Sequence, residues 1–233
     1  MSLDNNYIWF LMLFVNYSFI TLAFRFFKKE GLFAWVVLSS VLANIQVLKT
    51  VELFGFVTTL GNIIYGTSFL ATDILGECYS KKEAKKAVWM GVFALVATTV
   101  VMQISLWFYP HSSDVIQGPL SAIFGIMPRI MVSSLTAYIC SQHFDVWFYH
   151  RLKEKFPAKL WIRNNFSTMI SQLLDNIIFT LMAFWGVFEL EVLWQIFIST
   201  YLLKWVVAFL DTPVIYWAKN YHQRKVLNAK APV

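Results

Sequence analysis

Apolar residues run through this chain in blocks long enough to cross a bilayer, and the polar residues fall in the short gaps between them. Spanning the hydrocarbon core takes about 20 mostly apolar residues in a helix, because a helix satisfies its own backbone hydrogen bonds where no water can. Seven stretches meet that requirement: residues 8–24, 31–48, 53–72, 87–109, 123–149, 166–188 and 192–217. The first, second and fourth carry no charge, and the third is uncharged until it runs on into Asp73 and Glu77. The last three hold charges inside the span: Arg129 and Asp145 in the fifth, Asp175 in the sixth, Lys204 and Asp211 in the seventh. The pattern predicts an all-α, polytopic transmembrane helical bundle of seven spans, six core helices plus one additional N-terminal helix.

The gaps orient the bundle. Arg25, Lys28 and Lys29 follow the first span, Lys81, Lys82, Lys85 and Lys86 the third, and Arg151, Lys153, Lys155, Lys159 and Arg163 the fifth. Lys219, Arg224, Lys225 and Lys230 follow the seventh. The alternate connections are poor in basic residues, with Asp4 before the first span, Lys49 and Glu52 after the second, HSSD at 111–114 after the fourth, and Glu189 and Glu191 after the sixth. Because basic residues concentrate on the cytoplasmic side, the N-terminus is expected outside and the C-terminus in the cytoplasm. The first apolar run is preceded by Asp4 and not by a basic region, so it is expected to stay as a span and not to be removed as a signal peptide.

Composition supports this reading. Of the 233 residues 58% are hydrophobic and 14% charged, against about 25% charged in a soluble domain, whose surface must face water. The net charge of +6 sits in interhelical runs and not over a folded surface, which argues against nucleic-acid binding. No linker or low-complexity tract interrupts the chain, so residues 1–233 read as one integral membrane domain without a convincing internal repeat. Cys78 and Cys140 lie in different segments with no CxxC spacing, as two unpaired thiols. The 22 Phe, 10 Trp and 10 Tyr are mostly expected against lipid and at its interfaces, with some left to stack on a flat ring.

Ionisable groups at bilayer depth cost about 2.5–3.5 kcal/mol each on insertion scales, so they usually face a cavity or a partner. Asp73 and Glu77 are four residues apart, on one helix face near the cytoplasmic end; they fit either a binding role or an interfacial pair bonded to lysines such as Lys81. Gln142 with Asp145, and Gln172 with Asp175 and Asn176, form two polar clusters on successive spans, suited to a ligand or to interhelical bonding. Lys204 and Asp211 lie two turns apart on the last span beside Pro213, as an ion pair, a kink support or ligand groups. Arg129 follows Pro128 near the outer interface and can snorkel there or serve the site. Gly55, Gly61, Gly66 and Gly76, with several threonines, let the third span pack closely or unwind locally.

Enzyme chemistry finds no support in the motifs. His111, His143, His150 and His222 form no HExxH, no GxSxG occurs, and there is no GxxxxGK[ST] for nucleotide binding. No cofactor or metal is expected.

SFLATDILGECY at 68–79, followed by KKEAKKA, resembles the queuosine precursor transporters of the vitamin uptake transporter family, in which Thr-Asp is followed four residues later by a polar group just before a basic loop. RIMVSSLTAYICSQHFDVWFYHRLK at 129–153, NNFSTMISQLLDNIIFTLMAFWG at 164–186, and Lys204 with Pro213 continue the resemblance in the family's order. The first helix departs from the pattern of some members. The resemblance implies import of a 7-deazaguanine compound for tRNA modification through a bacterial inner membrane, with Asp73, Glu77, Arg129, Gln142, Asp145, Gln172, Asp175, Asn176 and Lys204 around the substrate. A carboxylate accepting the paired N–H donors of a guanine-like edge is compatible with that. The alternative is the substrate-binding membrane subunit of an ATP-driven vitamin uptake system for another small heterocycle. In either case the partners are a small purine-like molecule and the bilayer, with no nucleic acid.

The charge pattern generates a direct test. With single cysteines in a cysteine-free background, an impermeant thiol reagent added to intact cells is expected to label Ser113→Cys and Glu189→Cys but not Lys85→Cys or Lys155→Cys; labelling at 155 would overturn the orientation.

Overall fold

The computed structural model describes residues 4–125, 127–186 and 189–230. Its elements are α1 (Asn5–Gln46), β1 (Thr50–Leu53), β2 (Phe56–Thr59), α2 (Asn62–Cys78), α3 (Lys81–Leu106), α4 (Gln117–Phe124), α5 (Met127–Lys155), α6 (Leu160–Phe184) and α7 (Leu190–Lys230). Large apolar side chains such as Phe14, Phe93, Val101 and Phe209 are exposed, while Ser, Asn, Asp and Gln side chains fill much of the interior. That is the inverse of a water-soluble bundle, and it suits a chain whose solvent is lipid.

The 42 residues of α1 carry both the first and the second expected spans. A straight helix of that length would reach about 63 Å, yet its start lies against the segment that follows its end. Asn5 Nδ2 donates to the Glu52 carbonyl (3.1 Å), and Asn6 Oδ1 accepts from the Phe54 amide (2.9 Å). The chain folds back at Lys28, whose φ of 54° and ψ of −125° are not helical. At Gly31 a Cβ would run into the Ala23 carbonyl eight residues earlier, a contact possible only across a tight reversal. α1 is therefore two antiparallel limbs, with Ile20 and Phe24 of the first and Leu32, Phe33 and Val36 of the second sharing one core.

The third expected span needs correction. Residues 50–59 form a two-stranded antiparallel hairpin pairing Thr50 with Thr59 and Leu53 with Phe56, so no helix begins at Leu53. Val51, Val57, Thr58 and Thr59 are β-branched residues that favour a pleated chain. Phe54 and Gly55 turn it with φ of 53° and 82°, the positive pair that a two-residue type I′ turn demands. The helix starts only at Asn62, and α2 has 17 residues. It packs against α1, α3, α5 and α7 and is buried almost throughout. Its glycines serve close approach and not unwinding: α2 is continuous, and a Cβ at Gly66 would strike Val207 of α7.

Among the described residues four helices are long and apolar enough to cross a membrane: α1, α3, α6 and Leu193–Arg224 of α7. The count rises to five if α4 and α5 form one bent span. This falls below the seven expected because α1 is one element carrying two apolar blocks and α2 is shorter than a full crossing. The later helices also start or end beyond their apolar blocks: α6 begins at Leu160 and α7 runs on to Lys230, since a helix can continue into water where hydropathy fades. Val187 and Phe188, the end of the sixth expected span, and Ile126 within the fifth lie outside the described residues.

The basic segments meet at one end. Lys29 lies 3.5 Å from Glu83, and Glu77 receives Arg163 and Lys219 at 2.7 Å each and Lys153 at 3.4 Å. The gap residues after the first, third, fifth and seventh apolar blocks are thereby joined.

Lys28 occupies the first central position of what resembles a type II′ turn, where glycine is preferred. Positive φ at a residue with a Cβ costs on the order of 1–3 kcal/mol, so Lys28→Gly is expected to raise the thermal unfolding midpoint of detergent-purified protein by a few degrees. A lowered midpoint in fluorescence-detected melting would refute a strained reversal at Lys28.

Candidate functional site

Between the hairpin end and the middle of the bundle, α1, α2, α3, α5, α6 and α7 surround a cavity with about 680 Å³ of empty space, including the part open to solvent. Ser40 and Asn44 reach it from α1, Tyr65 from α2, Ser134 and Tyr138 from α5, Asp175 and Asn176 from α6, and Thr200 and Lys204 from α7. Thr59, Leu60 and Gly61, at the end of the hairpin, form part of its rim. A mostly apolar cleft with a few convergent polar groups is the usual form of a small-molecule site.

Asp175 organises the polar wall. Lys204 Nζ lies 2.6 Å from its Oδ2, while the Tyr65 hydroxyl donates to Oδ1 at 2.5 Å and Ser141 Oγ at 3.3 Å. The ammonium also sits 5.2 Å from the centre of the Tyr65 ring, within range of a cation–π attraction. Asp175 and Lys204 are both buried, so each charge depends on the other. Lys204 thus pairs across to α6, and not along its own helix with Asp211 as their spacing had allowed. Beside it, Asn176 Nδ2 donates to the Phe197 carbonyl at 2.8 Å, while its Oδ1 has no partner among the described residues.

Gln142 and Gln172 are buried near the same level of α5 and α6, and neither amide has a partner for its oxygen or nitrogen among the described residues. Buried polar groups are almost always bonded. Neither glutamine is among the residues that line the cavity.

Further toward the basic end, Asp145 accepts from Ser167 and Ser171 at 2.7 Å each, and Asp73 accepts from Thr168 at 3.4 Å. These bonds account for the Ser/Thr positions of α6: residues 164, 167, 168, 171, 172, 175 and 176 recur at helical spacing and are all buried, giving α6 a polar spine from end to end.

Glu77 and Arg129 stand apart from the cavity. Glu77 is not held by Lys81; Arg163, Lys153, Lys219 and the Tyr149 hydroxyl (3.1 Å) hold it at the basic end. Arg129 is exposed and donates to the carbonyls of Met182 (3.1 Å) and Trp185 (2.6 Å), where it satisfies the C-terminal end of α6. The structure therefore brings Asp175, Asn176 and Lys204 onto one wall. It sets Gln142 and Gln172 in the interior, Asp73 and Asp145 deeper still, and Glu77 and Arg129 at opposite ends.

Sequence reading missed Tyr65, Ser141 and Arg163. Asn62, Tyr65, Phe69 and Asp73 lie on one stripe of α2, so helical spacing could have found Tyr65. Arg163 is fully buried beside Glu77 although it sits in a run of basic loop residues, a pairing that no local pattern announces.

Residues 59–218 match the family described as "Putative vitamin uptake transporter". A "Probable queuosine precursor transporter" of Bacillus subtilis (strain 168) is 47% identical over 218 residues, covering 93% of this chain and 95% of that protein. The "Queuosine precursor transporter" of Escherichia coli (strain K12) is 28% identical over 155 residues, 66% of this chain and 67% of that one. No solved structure matches. With the family match spanning α2 to α7 and the Bacillus relative nearly the full chain, this protein belongs to the vitamin uptake transporter family.

Proposed function

We propose that this chain imports a queuosine precursor, a base of the 7-deazaguanine type, across a bacterial cytoplasmic membrane. The 47% identity to a relative of that name supports the substrate. The observation that carries the reading is Asp175 on the cavity wall with both oxygens engaged. A guanine-like edge offers adjacent N–H donors, and a carboxylate accepts two such donors side by side. Substrate would take over part of the bonding that Lys204 and Tyr65 supply in its absence. Asn176 Oδ1 provides an acceptor for another edge, and Tyr65 and Tyr138 provide ring faces. Asp73 and Asp145 act below the substrate, while Glu77 and Arg129 tie helix ends.

The finer topology we propose has seven crossings, with the two limbs of α1 counted separately and α2 as a short central crossing, N-terminus outside and C-terminus cytoplasmic. The meeting of basic segments at one end supports that sidedness.

A host unable to make queuosine precursors is expected to regain queuosine in its tRNA when it expresses this chain and receives a low concentration of 7-cyano-7-deazaguanine. Unmodified tRNA despite verified membrane expression would count against the substrate.

The role of Asp175 separates from its structural pairing in a two-residue cycle. Removing one partner of a buried ion pair costs about 3–5 kcal/mol because the other charge is stranded, so Asp175→Asn is expected to lose both folded yield and precursor binding. Asp175→Asn combined with Lys204→Met is expected to recover monodisperse yield while binding stays lost. Recovery of both in the double variant would assign Asp175 to structure alone.

A further inference from the structure

Below the cavity three carboxyl groups from three helices are buried: Asp73 of α2, Asp145 of α5 and Asp211 of α7. None forms an ion pair among the described residues, whose cations pair with Glu77, Glu83, Glu154 and Asp175. Ser167 and Thr168, successive residues of α6, serve Asp145 and Asp73 respectively, so the two carboxyl groups stand side by side against that helix. Two carboxylates have only acceptors to offer, so a pair held side by side away from any cation is stabilised by a hydrogen which neither ionised group holds. The local donors are already placed: Ser167 and Ser171 both serve Asp145 Oδ1, Thr168 serves Asp73 Oδ2, and Asp145 Oδ2 has no donor among the described residues.

Of the other titratable groups nearby, His150 of α5 stands against Gly76 of α2, on the basic-end side of Asp73. Tyr17 of α1 reaches Asp211 and donates to the Val207 carbonyl at 3.0 Å. Tyr149 of α5 and Arg163 of α6 are engaged with Glu77, as is Lys219 of α7. α3 carries titratable groups only near its start, from Lys81 to Lys86, at the basic end.

We propose that the Asp73–Asp145 pair binds the coupling proton of transport. The proton is taken from water on the cavity side, shared as O–H···O between the two carboxyl groups while substrate occupies the cavity, and released to water at the basic end, so that one proton moves inward with each substrate and no bond is made or broken elsewhere. Ser141 links the two levels, since it donates to Asp175 and lies one turn from Asp145 on α5. This rests on the transporter reading above.

Infrared difference spectroscopy of the purified protein tests the proton site without substrate. Wild type is expected to show the carbonyl band of a buried carboxylic acid at neutral pH, lost in alkali, with a component missing from Asp73→Asn and Asp145→Asn but kept in Asp211→Asn; a wild type without that component overturns the proposal. In proteoliposomes loaded by an acid-outside gradient, Asp73→Asn is expected to lose accumulation of 7-cyano-7-deazaguanine at least tenfold more than it loses counterflow exchange, which needs no net proton movement. Equal losses in both assays, or wild-type accumulation driven by sodium and not by pH, would refute coupling through this pair. Asn mimics the protonated carboxyl in shape, so failure of both Asn variants to fold would mean that the pair serves structure instead. If wild type binds no precursor yet shows the band, the substrate reading fails and the proton site stands.

Discussion

Asp175 and Lys204 meet at 2.6 Å between α6 and α7 with almost no contact with solvent, and the interior of the bundle is arranged around the need to keep that pair together. In a low-dielectric interior an isolated charge is far costlier than at a surface, and attraction offsets that cost only when further hydrogen bonds complete the geometry. Tyr65 of α2 and Ser141 of α5 supply those bonds. Four helices are thus registered by one carboxylate, and the same carboxylate faces the cavity. The pair thus serves the packing of the helices and the polar wall of the cavity at once.

The two ends of the bundle are built differently. At the basic end Glu77 gathers cations from α5, α6 and α7 around one buried carboxylate, which seals that end electrostatically. At the other end the cavity rim is formed by residues at the close of a two-stranded hairpin and the start of α2. The hairpin is tied to its neighbours by few side-chain bonds, among them Ser199 to the Val57 carbonyl at 3.1 Å. Opening the basic end would require separating several ion pairs at once, whereas the hairpin end is held by single hydrogen bonds and by the packing of Leu53 and Phe54 with Trp9. Such asymmetry suits a molecule that exposes a central site to one side at a time.

Much of the fold was legible because lipid imposes a simple demand. Long apolar blocks, basic gaps and charges inside the last three spans follow from one-dimensional spacing, and α3, α5, α6 and α7 lie where those blocks place them. The hairpin at 50–59 escaped because hydropathy does not separate an apolar strand from an apolar helix; β-branched residues and the Phe54–Gly55 turn carry that information, and a window average erases it. The reversal at Lys28 was expected from the basic gap, but not its tightness, with Gly31 against Ala23.

The sequence by itself determined that this is a helical membrane protein with buried carboxylates and amides on α2, α5, α6 and α7, and its family motifs were readable in order along the chain. Only the tertiary structure decided which of those groups stand together: Asp175 with Lys204 at the cavity, Asp73 with Asp145 beneath it, Glu77 among the cations, Arg129 on the end of α6. Helical spacing states which residues share a face, but the partner across the interface depends on how each helix is rotated and how far it slides along its neighbour. Those are set by packing over the whole contact, and no local run of residues records them.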